Sequence, residues 1–272
     1  MTKSLLDLVL FVRTPLNVAR AVDVGIRSFM VDMEWRGKHD RQTGANTEID
    51  PASIADLKHV CHAALPHGVR VFCRINPYGP WTAGEVDRAI ECGAARLFLP
   101  MVKDADEVAG FLAAIGGRSE SAILIETEEA VAAAASIALL PTDAVYIGLN
   151  DLSISRGASS IFPPLCDGTI ECLRGLFAGR EFGFGGVTAL DGGHPLPCRL
   201  LLQEMVRLDC SFSFLRRSFM SDLWLRPDCA AQIELLRGYL QMLAARAPAL
   251  AEADHSNLCD AVGKLLVPAH QK

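Results

Sequence analysis

The chain has 272 residues, of which 50% are hydrophobic and 21% are charged, with a formal net charge of −6. This length fits one large α/β domain or two small ones, and acidic and basic residues mix without the basic stripe expected of a nucleic-acid partner. No apolar run reaches the roughly 20 residues needed to cross a bilayer, and no cleavable leader is recognisable, so we expect neither a membrane protein nor a secreted one.

Short runs rich in β-branched and aromatic residues alternate with amphipathic helical segments. Eight runs are predicted to be strands: residues 8–13, 28–34, 69–75, 96–102, 121–127, 144–149, 182–188 and 211–216. Near-continuous apolar strands between helices are typical of a parallel sheet covered by helices. Eight such units predict a single-domain (β/α)8 TIM barrel. A doubly wound sheet is the main alternative, but no glycine-rich turn follows the first strand.

The segment after the eighth unit is predicted to be a short extension of the barrel. We divide the chain into a barrel domain, residues 1–246, and a C-terminal helical tail, residues 247–272. The tail pattern predicts one short amphipathic helix, which would cover a barrel end or dock on a neighbouring copy.

The cysteines are scattered through the chain without a recognisable motif. There are nine of them, and no two have CxxC spacing. This pattern favours reduced thiols that serve packing in a cytoplasmic protein over a disulfide framework or a zinc site.

Polar residues at strand ends are the first candidates for a functional site, because TIM-barrel active sites lie at the C-terminal ends of the strands. Strand 2 ends with Asp32 and Glu34, which are two residues apart and therefore share a face. Strand 3 ends with Arg74. A structural ion pair between Arg74 and either carboxylate is the alternative to a role in catalysis.

Two further carboxylates follow strands 5 and 6, at Glu126 and Asp151. Adjacent strands lie about 4.8 Å apart, so these side chains are predicted to share one Mg²⁺ or Mn²⁺. Two carboxylates leave coordination positions open for a bidentate substrate such as a 2-oxo acid. The alternative role is at helix N-termini, where acidic residues are also favoured.

The second half of the barrel offers groups for another anion on the substrate. The glycine-rich turn after strand 7 contains Gly186, and backbone amides in such turns can hold phosphate or carboxylate. Strand 8 ends with Arg216 and Arg217, of which only one can point inward. Gly186 and Arg216 are therefore candidate substrate-binding residues, as is Asn150 beside Asp151, with packing or solvent exposure as alternatives.

Five segments that include these strand ends are VDMEWRGK (31–38), RIN (74–76), GAARLFLPMVKDADEV (93–108), ILIETEEAV (123–131) and YIGLNDLS (146–153). In this order and spacing, they resemble the HpcH/HpaI aldolase and citrate lyase β-subunit superfamily. The resemblance covers residues 8–157 and is looser over 158–225. It implies a TIM barrel that binds Mg²⁺ or another divalent cation. It also implies that a carbon–carbon bond is made or broken beside a pyruvate, oxaloacetate or acyl-CoA enolate.

The resemblance also assigns roles to the residues at the strand ends. It implies that Glu126 and Asp151 are metal ligands and that Arg74 holds the keto-acid oxygens and stabilises the enolate. Asp32 and Glu34 would then orient Arg74 or a metal-bound water. The chemistry agrees, because a Lewis acid and a bidentate guanidinium both stabilise an enolate next to a carboxylate.

The sequence departs from the family pattern at Trp35, where aldolases of the HpaI branch have a histidine for acid–base chemistry. His39 in the following loop is a candidate replacement. The implied function is a metal-dependent lyase or aldolase acting on a 2-oxo acid. The alternatives are a CoA-ester lyase of the malyl or citramalyl type and a non-catalytic metal-binding subunit. Members of the family usually form trimers or hexamers, so we expect a homo-oligomer.

Overall fold

The computed structural model describes residues 6–37, 51–215 and 217–266, which form eight parallel strands surrounded by helices. The strands follow one another around the sheet, and β8 lies beside β1. Between β7 and β8 the N–H of Ser211 donates to the carbonyl of Phe182 at 2.9 Å, and Val187 bridges to Leu215. The predicted (β/α)8 barrel is therefore confirmed. The strands are β1 (Asp7–Phe11), β2 (Ser28–Asp32), β3 (Arg70–Arg74), β4 (Arg96–Leu99), β5 (Glu120–Ile125), β6 (Ala144–Ile147), β7 (Glu181–Phe184) and β8 (Phe212–Phe214).

Helices cover the outside of the barrel, and their first turns carry recognisable signals. Pro15 opens α1, where its fixed φ suits the first turn. Ser53 precedes α2 and forms a capping box with Asp56. None of the described helices is long and apolar enough to cross a membrane. The helices are α1 (Pro15–Asp23), α2 (Ile54–Ala64), α3 (Thr82–Glu91), α4 (Ala105–Ile115), α5 (Glu128–Ala132), α6 (Ala134–Ile137), α7 (Leu149–Ser155), α8 (Thr169–Leu176), α9 (Cys198–Arg207), α10 (Arg217–Phe219), α11 (Cys229–Ala244) and α12 (Pro248–Leu266), with 3₁₀ turns at Leu65–His67 and Pro163–Leu165 and a π-helical turn at Met220–Trp224.

The predicted strand ranges run past the observed C-terminal ends. The range 182–188 is the clearest case, because β7 stops at Phe184 while Val187, Thr188 and Ala189 remain buried. Buried residues continue past the end of a strand, so composition alone does not show where the strand ends.

Aromatic side chains fill the middle of the barrel. Tyr146 stacks on Phe214 with ring centroids 3.8 Å apart, and Phe98 meets Phe214 edge-on at 5.6 Å. Gly183 lets the backbone of β8 approach closely, since a Cβ there would lie 2.1 Å from the carbonyl oxygen of Phe212. We call these rings the aromatic floor; its members are Phe72, Phe98, Tyr146, Phe212 and Phe214.

A polar layer closes the N-terminal end of the barrel. Arg96 is 1% exposed and donates to Glu181 at 2.7 and 2.8 Å and to Glu120 at 2.8 Å. Arg70 also pairs with Glu120. These residues begin their strands, so the ion pairs lie at the end opposite a TIM-barrel active site.

The tail helix α12 has 19 residues, longer than the short helix predicted. It packs on the outer helix α9. Arg246, just before α12, donates to Asp254 of α12 at 2.8 Å and to the carbonyl of Gln203 on α9 at 2.7 Å. The tail helix therefore lies on the outer helical layer, and the expectation that it covers a barrel end or docks on a neighbouring copy stays a prediction. The domain boundary at residue 246 stays a prediction.

All nine cysteines lie among the described residues and are free thiols, as the sequence predicted. Burial raises the pKa of Cys61 to about 12, which keeps this thiol protonated and inert at neutral pH. The buried set, which serves packing, is Cys61, Cys73, Cys198, Cys210 and Cys229.

Candidate active site

The C-terminal ends of β2 and β3 place a carboxylate directly beside a guanidinium. Asp32 and Arg74 are the last residues of their strands and are register partners in the sheet. Arg74 donates from Nε to Oδ1 of Asp32 at 2.9 Å and from Nη2 to Oδ2 at 2.6 Å. Such a two-point pairing fixes the plane of the guanidinium as well as its position.

Glu34 adds a second carboxylate to the same arginine. Its side chain is buried, and Oε2 lies 3.4 Å from Nε of Arg74. Its backbone N–H donates to Oδ1 of Asp32 at 3.1 Å. Burial alone would lower the pKa of Arg74, but the carboxylates of Asp32 and Glu34 raise it well above its usual range. Arg74 is therefore a permanent, oriented cation at the barrel mouth.

Glu126 follows β5 and turns into the same mouth. It is 2% exposed, and its Oε1 accepts the N–H of Met101 at 2.9 Å. Burial, with the nearby carboxylates of Asp151 and Glu34, raises the pKa of Glu126 to about 8, against the opposing effects of Arg74 and the Met101 N–H. Crowded carboxylates of this kind favour a bound cation.

Gly148 makes the space that Glu126 occupies. A Cβ at this position would lie 2.1 Å from Oε2 and 2.7 Å from Cβ of Glu126. Thr127, not Glu126, caps α5, so helix capping does not explain Glu126. Asp151 lies in the first turn of α7, where a helix-terminal role applies to it as well.

The donor atoms suit a hard divalent cation. Among the described residues, no group of three or more His, Cys, Asp or Glu side chains is arranged to hold a metal ion. Glu126 and Asp151 supply a pair of carboxylates, and Asp151 is near enough to raise the pKa of Glu126. Mg²⁺ commonly binds through one or two carboxylates and keeps several waters or substrate oxygens. The two residues therefore fit such an ion, with water or substrate completing its coordination.

A buried amide joins the loops that follow β2 and β3. Asn76 accepts the backbone N–H groups of Trp35 and Arg36, each at 2.9 Å. Its Nδ2 donates to Glu85 at 2.8 Å, and its own N–H donates to the other oxygen of Glu85 at 3.0 Å. Asn76 and Glu85 thus set the position of the Trp35 loop. The sequence analysis missed this role, although an asparagine directly after a strand was a visible signal.

The indole of Trp35 lies in a cation–π stack. The guanidinium carbon of Arg36 is 4.4 Å from the Trp35 ring and 4.1 Å from the Trp81 ring. Trp35 is still 51% exposed. Trp35 is therefore part of an aromatic rim, which the sequence analysis did not anticipate.

The remaining predicted substrate-binding residues are less closely tied to the mouth. Asn150 is exposed on α7, and its carbonyl accepts the Ser153 hydroxyl at 2.7 Å. Gly186 has φ +143°, and a Cβ there would lie 2.6 Å from Leu201 on α9, so helix packing requires this glycine. Contacts of either residue with substrate stay predictions. Arg217 is exposed. Arg216 and His39 lie outside the described residues.

Comparisons with known proteins place the fold. No protein-family model matches the sequence, and no curated protein does so. Citrate synthase SbnG superposes with a TM-score of 0.61 at 16% identity, over 87% of this chain and 95% of that one. The HpcH/HpaI aldolase from Desulfitobacterium hafniense DCB-2 gives 0.60 at 18% identity, over 90% and 95%.

An HpcH/HpaI aldolase/citrate lyase family protein from Burkholderia cenocepacia J2315 gives a TM-score of 0.59 at 15% identity, over 89% and 95% of the two chains. At such identities the likeness establishes a shared fold. The fold that the sequence resemblance implied is confirmed, because solved HpcH/HpaI proteins superpose on most of the chain.

Proposed function

We propose that the chain is a divalent-metal-dependent carbon–carbon lyase or aldolase that acts on a 2-oxo acid through its enolate. The observation that carries this proposal is that two groups of charged residues lie at the same end of the barrel. One is Arg74 held by Asp32 and Glu34, and the other is the carboxylate pair Glu126 and Asp151. The fold shared with solved aldolases supports it.

Arg74 would bind the anionic part of the substrate. Its pairing with Asp32 uses Nε and Nη2, so neither N–H group of Nη1 is engaged by that pairing. A guanidinium has five N–H donors in a fixed fork, which suits a carboxylate or enolate oxygen. Because two carboxylates hold it in place, it stabilises negative charge without having to reorganise during the reaction.

Glu126 and Asp151 would hold the divalent cation, which when bound polarises the keto oxygen as a Lewis acid. The Met101 N–H fixes one oxygen of Glu126, and Gly148 leaves space beside the other. Trp35 takes the place of the family histidine, so another group must move the proton. His39 stays the predicted candidate for that role.

The test is metal-dependent exchange of pyruvate methyl protons with D₂O, followed by NMR. We expect exchange with Mg²⁺ or Mn²⁺ that a chelator abolishes and that Glu126→Gln lacks. The matched control is Glu129→Gln, an exposed carboxylate three residues along the chain, which should keep full exchange. Exchange that persists in Glu126→Gln would contradict the assigned site.

The second candidate is a metal-binding subunit without turnover. The observation that favours it is the aromatic stack at Trp35, where the HpaI branch has its acid–base residue. Mn²⁺ binding that depends on Glu126, without exchange of pyruvate or cleavage of malyl- or citramalyl-CoA, would support this candidate. Cleavage of a CoA ester without pyruvate exchange would support the CoA-ester lyase.

A further inference from the structure

A cysteine, a histidine and a glutamate are aligned where α12 packs on α9. His255 and Cys259 are four residues apart on α12 and so lie on the same face of the helix. The sulfur of Cys259 is 3.6 Å from Nε2 of His255. Nδ1 of the same ring is 3.1 Å from both carboxylate oxygens of Glu204.

Glu204 is well placed to fix the orientation of the imidazole. It is 1% exposed and receives two hydrogen bonds from Arg207, at 3.0 and 2.8 Å. A carboxylate that accepts from Nδ1–H leaves the lone pair on Nε2, as in other carboxylate–histidine pairs. Nε2 of His255 then faces the thiol of Cys259 as an acceptor for its proton.

A second thiol meets the first from another part of the chain. Cys166 follows the 3₁₀ turn before α8. Burial raises the pKa of Cys166, and its side chain lies near enough to Cys259 for that thiol to raise the pKa further. Both cysteines are free and only partly buried, so small reagents can reach them. Of the two thiols, Cys259 is the one that faces a base, Nε2 of His255.

We propose that Cys259 and Cys166 form a reactive dithiol that reduces hydroperoxides and closes to a disulfide, with His255 as the proton acceptor for Cys259. The cluster lies on the outer helical layer and does not involve the residues of the barrel mouth. The dithiol and the lyase proposal can therefore be tested independently.

The reaction balances in two steps. His255 takes the Cys259 proton, and the thiolate attacks one oxygen of ROOH, so an S–O bond forms and the O–O bond breaks. The alkoxide leaves as ROH with the proton from His255, and the sulfur is oxidised by two electrons to a sulfenic acid. Cys166 then attacks this sulfur, the S–O bond breaks, and hydroxide leaves as water with the Cys166 proton. The product disulfide joins α12 to the segment that enters α8.

The first test uses the unaltered chain, treated with hydrogen peroxide, blocked with N-ethylmaleimide and digested without reductant. We expect a peptide pair linked through Cys166 and Cys259, and loss of the Cys259 thiol about 10-fold faster than that of Cys172, an exposed cysteine on α8. Equal rates at the two positions, or a disulfide between other partners, would overturn the proposal.

Two variants separate the roles of the residues. Cys166→Ser should stop the reaction at a sulfenic acid on Cys259, trapped by dimedone. His255→Gln should slow oxidation of Cys259 about 10-fold while Cys172 reacts at its ordinary rate, which reports an intact fold. An unchanged rate in His255→Gln, or no dimedone adduct in Cys166→Ser, would contradict the assigned chemistry.

Discussion

Gly148 has no side chain, and the buried carboxylate of Glu126 fills the space where one would lie. A Cβ at residue 148 would lie 2.1 Å from Oε2 of Glu126, although the two residues follow different strands, β6 and β5. The glycine after β6 is therefore as much a part of the candidate metal site as the carboxylate itself.

Gly148→Ala should weaken Mn²⁺ binding about 10- to 100-fold, because the added methyl group displaces a ligand without removing its charge. Isothermal titration calorimetry measures this directly. Gly238→Ala on α11 is the matched control, since a Cβ there meets nothing within 4 Å. It should leave affinity unchanged and stabilise the helix slightly. Equal affinity in Gly148→Ala and the control would remove Glu126 from the metal site.

Asp32→Asn should reduce pyruvate proton exchange about 10- to 100-fold with the fold intact, because Arg74 loses the charged half of its two-point pairing. Circular dichroism and exchange are measured on the same sample. The control is Asp228→Asn, which disrupts a similar pairing with Arg226, at 2.8 and 2.7 Å on the surface. If both variants keep full exchange, Asp32 does not position the catalytic arginine.

Glu181→Gln should destabilise the barrel at neutral pH by about 1–2 kcal/mol. This is below the cost of breaking a fully buried pair, because Glu120 remains and the Glu181 side chain is 42% exposed. Burial raises the pKa of Glu181, but hydrogen bonds from Arg96 outweigh it and the net shift is downward. A carboxyl group whose pKa is lowered by folding stabilises the folded state at pH values above its unfolded-state pKa. That contribution is lost as the pH falls through the folded-state pKa.

The difference between wild type and Glu181→Gln should therefore be largest near neutral pH and shrink below about pH 4.5, the ordinary glutamate value. Urea unfolding across this range measures it. Glu234→Gln, which removes an exposed pair with Arg237, should cost less than about 0.5 kcal/mol at every pH. A difference that grows on acidification would contradict the assigned ion pair.

Asn76→Ala should cost about 2–3 kcal/mol, because Oε1 of Glu85 and the N–H groups of Trp35 and Arg36 lose the side chain that they bond to. Trp35 should also become more mobile, which its fluorescence anisotropy would report. Asn257→Ala on the exposed face of α12 should change stability by no more than about 0.5 kcal/mol. A neutral Asn76→Ala would show that the loop is held by other contacts.

The barrel could be predicted from the sequence because periodic apolar runs report burial, and burial in a parallel sheet is nearly continuous along each strand. The strand ends were less well placed. Val187 and Thr188 are as buried as the strand before them, so their apolar setting gave no sign that the ladder had ended. The sequence likewise showed which polar residues lie at strand ends, but not which side chains they contact.

The partners of each site residue could not be predicted. The adjacent ends of strands 2 and 3 suggested that Arg74 pairs with Asp32 or Glu34. Arg74 makes two hydrogen bonds to Asp32 because the register of β2 and β3 places these two residues side by side. Asn76 and Trp81 were passed over because their roles arise from loops that meet only in three dimensions. The Cys259, His255 and Glu204 alignment likewise joins helices that are 40 or more residues apart in sequence.

The aromatic floor has an electrostatic consequence. Phe98, Tyr146 and Phe214 lie between the charged residues at the mouth and the ion pairs at the far end. Aromatic rings screen charge less than water does, so the aromatic floor screens the field of Arg74 and the carboxylates only weakly. Their field lines leave mainly through the open end, as in other clefts with low-dielectric walls. The barrel therefore presents its charge in one direction, toward whatever arrives from solvent.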